Sequence, residues 1–298
     1  MIATTKDYLK LHFLVFLWGF TAVLGMLVTI PSVEMVFYRT FLAALGMGAL
    51  ILITRGTFTI SKSDFIKIAL TGFIVAIHWL TFFGSARVSN PSTSLVGFAT
   101  CSFWAALLEP IIKRKKILPL EIGLGLIVII GLYIIFAGDF KYPLGLFLGI
   151  VSGLTAAIFS VANSRLVVRV NAYTITFYEM VSACLIIFIF FPIYKNTMAD
   201  DGALHLLPLW TDWIYIAIMA WVCSVYAYSA AIDLTKKLSV FFIQLALNLE
   251  PVYGIALALI VFGEKEVMGW NFYAGTAIII SAVALYPFLK KRTATQFK

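Results

Sequence analysis

Ten apolar runs follow one another along the chain, at roughly 9–29, 34–54, 65–85, 92–112, 119–138, 143–163, 172–194, 211–231, 239–262 and 269–289. Each is close to the roughly 20 residues that an α-helix needs to cross a bilayer core. In lipid, backbone donors and acceptors must pair internally, which a helix does within one segment. The predicted fold class is therefore all-α integral membrane, with ten transmembrane helices. The breaks are short and carry Pro, Gly, Asn or charge: Pro31-Ser32, Arg55-Gly56, Ser89-Asn90-Pro91, Lys113 to Lys116, Gly138-Asp139, Lys236-Lys237 and Gly263-Glu264. One connection is longer, Lys195 to Leu209, and is too short for a soluble domain. With 62% hydrophobic and 12% charged residues, the composition is far from that of a soluble globular protein. Lys6 and Lys10 before the first run resemble a signal peptide, but the run is long and lacks a small-residue cleavage site, so it reads as a retained span.

The net charge of +8 would suit a nucleic-acid binder if it were clustered on one soluble face. Its placement indicates topology instead. With the N-terminus cytoplasmic, seventeen Lys and Arg fall in inside segments and four outside (Arg87, Lys141, Lys195, Lys265), while Arg39 lies within the second run. That bias follows the positive-inside rule and puts both termini in the cytoplasm of a multi-pass cell-membrane protein. Lys113 to Lys116 reads as a topology anchor, with acidic lipid headgroups as a weaker alternative.

Short matches recur in the same order in two halves. Gly19-Phe20-Thr21-Ala22 pairs with Gly153-Leu154-Thr155-Ala156, and Phe37-Tyr38 with Phe177-Tyr178. Leu108-Glu109-Pro110 pairs with Leu249-Glu250-Pro251, and Leu124-Gly125 with Ala274-Gly275. Two five-helix units result, 1–140 and 141–298. Five is odd, so the second unit enters the membrane inverted, as in secondary transporters with midplane binding sites. Strict inversion would put Glu109 and Glu250 at mirrored depths, whereas Glu109 lies only four residues before Lys113.

Glu250 stands near the middle of Ser239 to Phe262, where an acidic side chain costs about 2.5–3.5 kcal/mol on insertion scales. It therefore needs a partner, a wet cavity or a proton. Pro251 disfavours helical geometry at Glu250, predicting a bend and a freed carbonyl. Gln244 and Asn248 share a helix face, while Glu250 lies about 200° round from Asn248 on a regular helix. His78 is a relay or substrate-contact candidate, with hydrogen-bonded packing as the other reading. Trp79, Trp18, Trp104 and Trp221 lie away from the interfaces that indoles prefer, and an aromatic cavity or plain packing would each place them there. Arg39 and its repeat mate Glu179 are gate candidates at opposite ends of a pathway. In the alternative reading Arg39 snorkels to the surface and Glu179 bonds a neighbouring helix. Gly145, Gly149, Gly153 and Ala157 recur every four residues as a close-packing face, and Gly123 and Gly131 are read likewise.

No GxxxxGK[ST], HExxH or GxSxG motif occurs, so neither an ATP-driven pump nor a hydrolase has a motif behind it. Cys101, Cys184 and Cys223 lie inside apolar runs without CxxC spacing, so no disulfide framework, metal or other cofactor is expected.

The chain resembles the EamA family of the drug/metabolite transporter superfamily over nearly its whole length. The resemblance rests on Asn248-Leu249-Glu250-Pro251-Val252-Tyr253 followed by Phe262-Gly263-Glu264, on Trp18-Gly19, and on Phe37-Tyr38-Arg39. The first half departs from the pattern at Lys113 to Lys116, which replaces the Gly-Glu turn. The resemblance implies a transporter and not an enzyme, in a family that moves amino acids, nucleobases and other small metabolites, mostly outward; the expected function is export of amino acids or related small metabolites by alternating access. A membrane-embedded enzyme and a lipid flippase or sensor are the competing classes. Substrate-pathway candidates are Glu250, Asn248, Gln244, His78, Trp79, Trp18, Trp104 and Tyr253. The cavity is expected among spans 1, 3, 4, 6, 8 and 9, with spans 5 and 10 as support. Expected partners are a small-molecule substrate and membrane lipid, with no nucleic acid; association as a homodimer stays open.

Overall fold

A computed structural model describes residues 3–89, 91–135, 142–199, 201–250, 252–253 and 270–296. Among the described residues the chain is helical and has no strand. The elements are α1 (Thr5–Leu27), α2 (Ser32–Ile53), α3 (Lys62–Val88), α4 (Pro91–Phe98), α5 (Cys101–Lys113), α6 (Pro119–Ile135), α7 (Pro143–Leu166) and α8 (Ala172–Thr197). They continue through α9 (Trp210–Ile218), a π-helical stretch (Met219–Tyr228), α10 (Ser229–Leu234), α11 (Val240–Leu247) and α12 (Trp270–Gln296). Seven described helices are long and apolar enough to cross a membrane: 32–53, 62–88, 93–113, 143–166, 172–197, 210–234 and 270–290. The 23-residue α1 and the 17-residue α6 accompany them. Pro251, Asn90, Gly138-Asp139 and the Phe262-Gly263-Glu264 turn lie outside the described residues.

Local sequence explains where the helices begin and end. Ser61 accepts the Asp64 amide and Asn171 the Tyr173 amide, so α3 and α8 start on side-chain caps. Pro119 and Pro143 open α6 and α7, where a missing amide proton removes no helical bond. Arg55 and Arg114 take left-handed backbone geometry (φ 51° and 53°) directly after α2 and α5, a conformation usually given to glycine. There the Gly56 and Lys115 amides reach back to the Ile51 and Pro110 carbonyls at 2.8 Å.

Apolar surface alone does not drive helices together in lipid; close backbone approach and interhelical hydrogen bonds do. The small-residue face of α7 meets both requirements. A Cβ at Gly97 would stand 2.6 Å from the Gly149 Cα, so α4 and α7 touch backbone to backbone. Gly145 abuts Ser89, Gly153 abuts the Phe98 carbonyl, and Ser85 Oγ donates to the Gly145 carbonyl at 2.6 Å. Gly131 likewise packs on the Gly275 carbonyl of α12, but Gly123 meets nothing within 4 Å and is no packing glycine. Glu121 accepts from Tyr286 at 2.5 Å and from Lys290 at 3.2 Å, fixing the start of α6 to α12.

Irregular backbone gathers where the spans line the interior. Between α4 and α5, Ala99 and Thr100 interrupt the span. After α11, the Asn248 and Leu249 amides bond three residues back, to Leu245 and Ala246, before helical geometry resumes at Glu250. The π-helical turn between α9 and α10 is a third departure, of a kind often found at functional sites.

One face of the bundle is tied together by a hydrogen-bonded clamp. Asp212 Oδ1 accepts the Thr29 amide at 2.9 Å, and Asp212 Oδ2 accepts the Thr29 hydroxyl at 2.6 Å and the Leu209 amide at 3.0 Å. From the other side Arg87 donates to the Val28 and Ile30 carbonyls, both at 3.1 Å. The α1–α2 corner is thus held by an anion on its donors and a cation on its acceptors. Over the same face, the His205 amide donates to Glu34 and the Tyr38 hydroxyl to the Leu206 carbonyl.

Candidate functional site

A central cavity of about 100 Å³ lies among α1, α2, α3, α4, α7, the π-helical stretch, α10 and α11. By that measure one water needs about 10–15 Å³, so the space admits several waters or a small solute. Seven aromatic side chains contribute to its walls: Trp18, Trp79, Phe82, Phe83, Phe98, Phe159 and Tyr228. Set into them, among the described residues, are one cation, Arg39, one carboxyl, Glu250, and the polar groups of Thr21, His78, Ser160, Asn163, Thr235 and Gln244.

Each polar group is held by a named neighbour. Arg39 is only 3% exposed, so it does not snorkel to the surface. Its Nε donates to Ser224 Oγ at 3.0 Å and its guanidinium carbon lies 4.3 Å from the centre of the Trp79 ring. Trp18 Nε1 donates to the Cys223 carbonyl at 3.1 Å, within the π-helical stretch. His78 Nδ1 lies 3.0 Å from the Ser152 carbonyl and 2.9 Å from its hydroxyl. A carbonyl only accepts, so Nδ1 carries a proton and Nε2 is left for another partner. Gln244 donates to Ser160 Oγ at 2.7 Å, while its own Oε1 has no protein partner. The Glu250 carboxyl stands beside Thr21 and within electrostatic reach of Arg39.

The angular mismatch expected between Gln244 and Glu250 is removed by the break at Asn248-Leu249. Both side chains face the cavity because the chain leaves the helical register between them. Asn248 turns away, donating to Ser102 Oγ and to the Gln244 carbonyl, both at 3.2 Å. Trp104 is also outside the cavity, packed against a small cluster of Ala105, Ala157, Val161 and Val240. Tyr253 pairs its hydroxyl with His12 Nδ1 at 3.2 Å, away from the lining. Trp221 is 53% exposed on the bundle's outer surface, so it lines no cavity. Glu179 is fully buried one layer behind the wall, where Tyr228 Oη donates to its Oε2 at 3.0 Å. Among the gate candidates Arg39 is thus in the cavity and Glu179 behind it.

Span 2 joins the lining through Arg39, an addition to the expected set, while α6 and α12 contribute nothing to it. Tyr228, Asn163, Phe159 and Thr21 were not anticipated. Asn163 carried a signal, since an amide inside an apolar run needs a partner. The aromatics carried none, being indistinguishable from packing residues in so apolar a chain.

Below the cavity a second, larger concavity of about 950 Å³ opens toward the face opposite the clamp. It is lined by eight Lys and Arg residues and by Glu109 as its sole carboxylate. Glu109 pairs with Lys113 at 2.8 Å and accepts the Phe241 amide at 2.9 Å, capping α11. The two Leu-Glu-Pro motifs therefore serve different places, Glu109 in this vestibule and Glu250 in the cavity. Thr235 lines both spaces and marks where they adjoin. Among the described residues no group of three or more His, Cys, Asp or Glu could hold a metal ion.

Among curated proteins none matches this chain by sequence. A solved structure, described only as the crystal structure of a protein, shares the fold with a TM-score of 0.77 over 98% of this chain and 99% of that one, at 12% identity. The model of the EamA-like transporter family matches twice, at residues 8–137 and 143–287. With both matches together spanning nearly all of its length, this multi-pass membrane protein belongs to the EamA-like transporter family.

Proposed function

We propose that the protein is a secondary transporter or facilitator that exports small metabolites, amino acids or related compounds, across the cytoplasmic membrane by alternating access. The observation that carries this reading is the pairing of Arg39 and Glu250 in one aromatic cavity. A compact solute bearing both a carboxylate and an ammonium group finds an opposite charge for each, and the rings accommodate an apolar side chain. The cargo passes without chemical change.

The asymmetry of the two faces supports a conformation open toward the cytoplasm. The vestibule carries the basic residues that the positive-inside rule assigns there, while the face of Asp212 and Arg87 is tied together by hydrogen bonds. On this reading the chain has two inverted units, 1–140 and 141–298, with ten spans and cytoplasmic termini; two tandem family matches support the division into halves, and the charge bias supports the orientation. Alternating access would then be rocking of the units about the cavity, with irregular backbone at the site as in other inverted-repeat transporters.

The test is a screen of purified protein in liposomes against amino acids and small metabolites, with and without a pH gradient. Saturable movement of a zwitterionic solute supports the reading. Movement of labelled lipid between leaflets, with no solute flux, would replace it with a flippase.

A further inference from the structure

Behind the cavity wall lies an oxygen cluster that the transport reading leaves without a role. Glu179 has 0% exposure; Tyr228 Oη donates to its Oε2, and Asn163 Nδ2 donates in turn to Tyr228 Oη at 3.2 Å. Thr71 and Asn163 also stand within polar reach of the carboxyl, but the Thr71 hydroxyl donates to the Ile68 carbonyl at 2.8 Å and Asn163 Nδ2 to Tyr228, so neither satisfies Oε1. Two acceptors remain buried without a protein donor, Glu179 Oε1 and Asn163 Oδ1. The hydroxyl of Thr176, three residues earlier on the same helix, is buried and unpartnered as well. Native interiors rarely leave several acceptors unpaired in one place. A surplus of oxygens with too few donors is what a hard cation satisfies.

Among the described residues, the surroundings supply no such cation from the protein. The charged and titratable groups on neighbouring elements are engaged elsewhere: Arg39 of α2 with Ser224 and Trp79, His78 of α3 with Ser152, and Arg165 of α7 with the Ile112 carbonyl. Lys67 of α3 lines the vestibule. Tyr228 is the titratable side chain bonded to Glu179. The position is also tightly fixed, since a Cβ at Gly72 would stand 2.7 Å from the Glu179 carbonyl oxygen.

We propose that Glu179, Asn163, Tyr228 and Thr71 form a binding site for a monovalent cation, a proton or a sodium ion, placed to couple its movement to transport. Resting on the transport reading for its role, the site adds what that reading lacks, a connection between the two spaces. Thr71 lines the vestibule, while Tyr228 and Asn163 line the cavity. A cation that enters past Thr71 is held by the same two side chains that shape the substrate space. Its arrival neutralises the carboxylate and occupies the orphan oxygens; its departure restores both. A bound proton comes from vestibule water, forms the O–H bond on Glu179 Oε1 and returns to water on release; a sodium ion is ligated by the carboxylate and the neutral oxygens.

The experiment uses the full-length purified protein in detergent and needs no substrate. Binding of radiolabelled sodium is measured in choline buffer, and the carboxylic-acid C=O stretch is followed by infrared difference spectroscopy across pH. The expected result is either saturable sodium binding or a titrating acid band, lost in Glu179→Gln. In Tyr228→Phe, which keeps the carboxylate, the binding weakens several-fold or the band shifts. This second variant carries the test if Glu179→Gln does not fold. Absence of both signals in the wild type, or their survival in Glu179→Gln, overturns the site and indicates that the oxygens are only hydrated. If the cation binds and no solute or gradient-driven flux is found, the transport reading fails and the site stands. Flux without cation binding gives the converse.

Discussion

The guanidinium of Arg39 lies over the face of Trp79, 4.3 Å from the ring centre, and both side chains border the cavity. A buried cation needs compensation, and here the ring's negative face and the Ser224 hydroxyl provide it. Removing the ring in Trp79→Ala should weaken this placement by about 0.5–2 kcal/mol, or roughly 2- to 30-fold. The expected outcome is a raised KM for a carboxylate-bearing substrate, with a smaller rise in Trp79→Phe, measured as export from loaded liposomes. An unchanged KM in Trp79→Ala would separate the ring contact from substrate binding.

Glu250 is the carboxyl that shares the cavity lining with this cation. Glu250→Gln keeps the shape and removes the charge, so the protein should insert and fold normally. Export is expected to fall by about tenfold or more, the scale of one lost charge-assisted contact of about 1.5–3 kcal/mol. Quantified membrane protein beside the initial export rate checks it. Normal export at every pH examined would remove Glu250 from the mechanism.

The clamp made by Asp212 and Arg87 predicts a change in access. Cys223 lines the cavity and is only 1% exposed. In a variant with Cys101→Ser and Cys184→Ser, adding Asp212→Ala releases two hydrogen bonds to Thr29 at the α1–α2 corner and the Leu209 cap of α9. Labelling of Cys223 by an impermeant thiol reagent from that face should then accelerate about tenfold or more. Equal rates with and without Asp212 would show that the clamp does not limit opening.

Helix contact through glycine makes a stability prediction with its own control. Gly97→Leu drives a side chain into the Gly149 backbone and should destabilise by about 1–3 kcal/mol, lowering the unfolding temperature in detergent. Gly123→Ala places a methyl where nothing stands within 4 Å and should leave that temperature unchanged or slightly higher.

At the start of α1, Lys237 Nζ lies 2.8 Å from Asp7 Oδ1 and, with the Thr4 amide and hydroxyl, lowers the Asp7 carboxyl from its ordinary 3.8 to about 2. A lowered carboxyl pKa stabilises the folded state above the ordinary value and loses that contribution as pH falls through the lowered one. Wild type should therefore outlast Asp7→Asn on heating above about pH 4, and the two should converge toward about pH 2. Parallel thermal melts across this window check the sign.

Much of this molecule is written in local pattern. Runs of about twenty apolar residues can only be helices in lipid, and the four-residue glycine period of α7 identifies a packing face without reference to its partner. Glu250 and Arg39 could be singled out because a charge inside an apolar run is costly wherever it points. Direction was another matter. Gln244 and Asn248 share a face of a regular helix, yet Asn248 bonds Ser102 while Gln244 and Glu250 both face the cavity, because two amides bond three residues back instead of four. No helical wheel contains that step. The aromatic wall was equally hidden, since Phe159 and Tyr228 differ from lipid-facing rings only in which neighbours surround them. Sequence by itself determined helices, their apolar character and the few charges that require an explanation, since these follow from the energy of single residues in lipid. Tertiary structure alone decided which charges meet, that Arg39 and Glu250 share a cavity while Glu179 stands behind it, because such meetings depend on register and close packing between segments far apart in the chain.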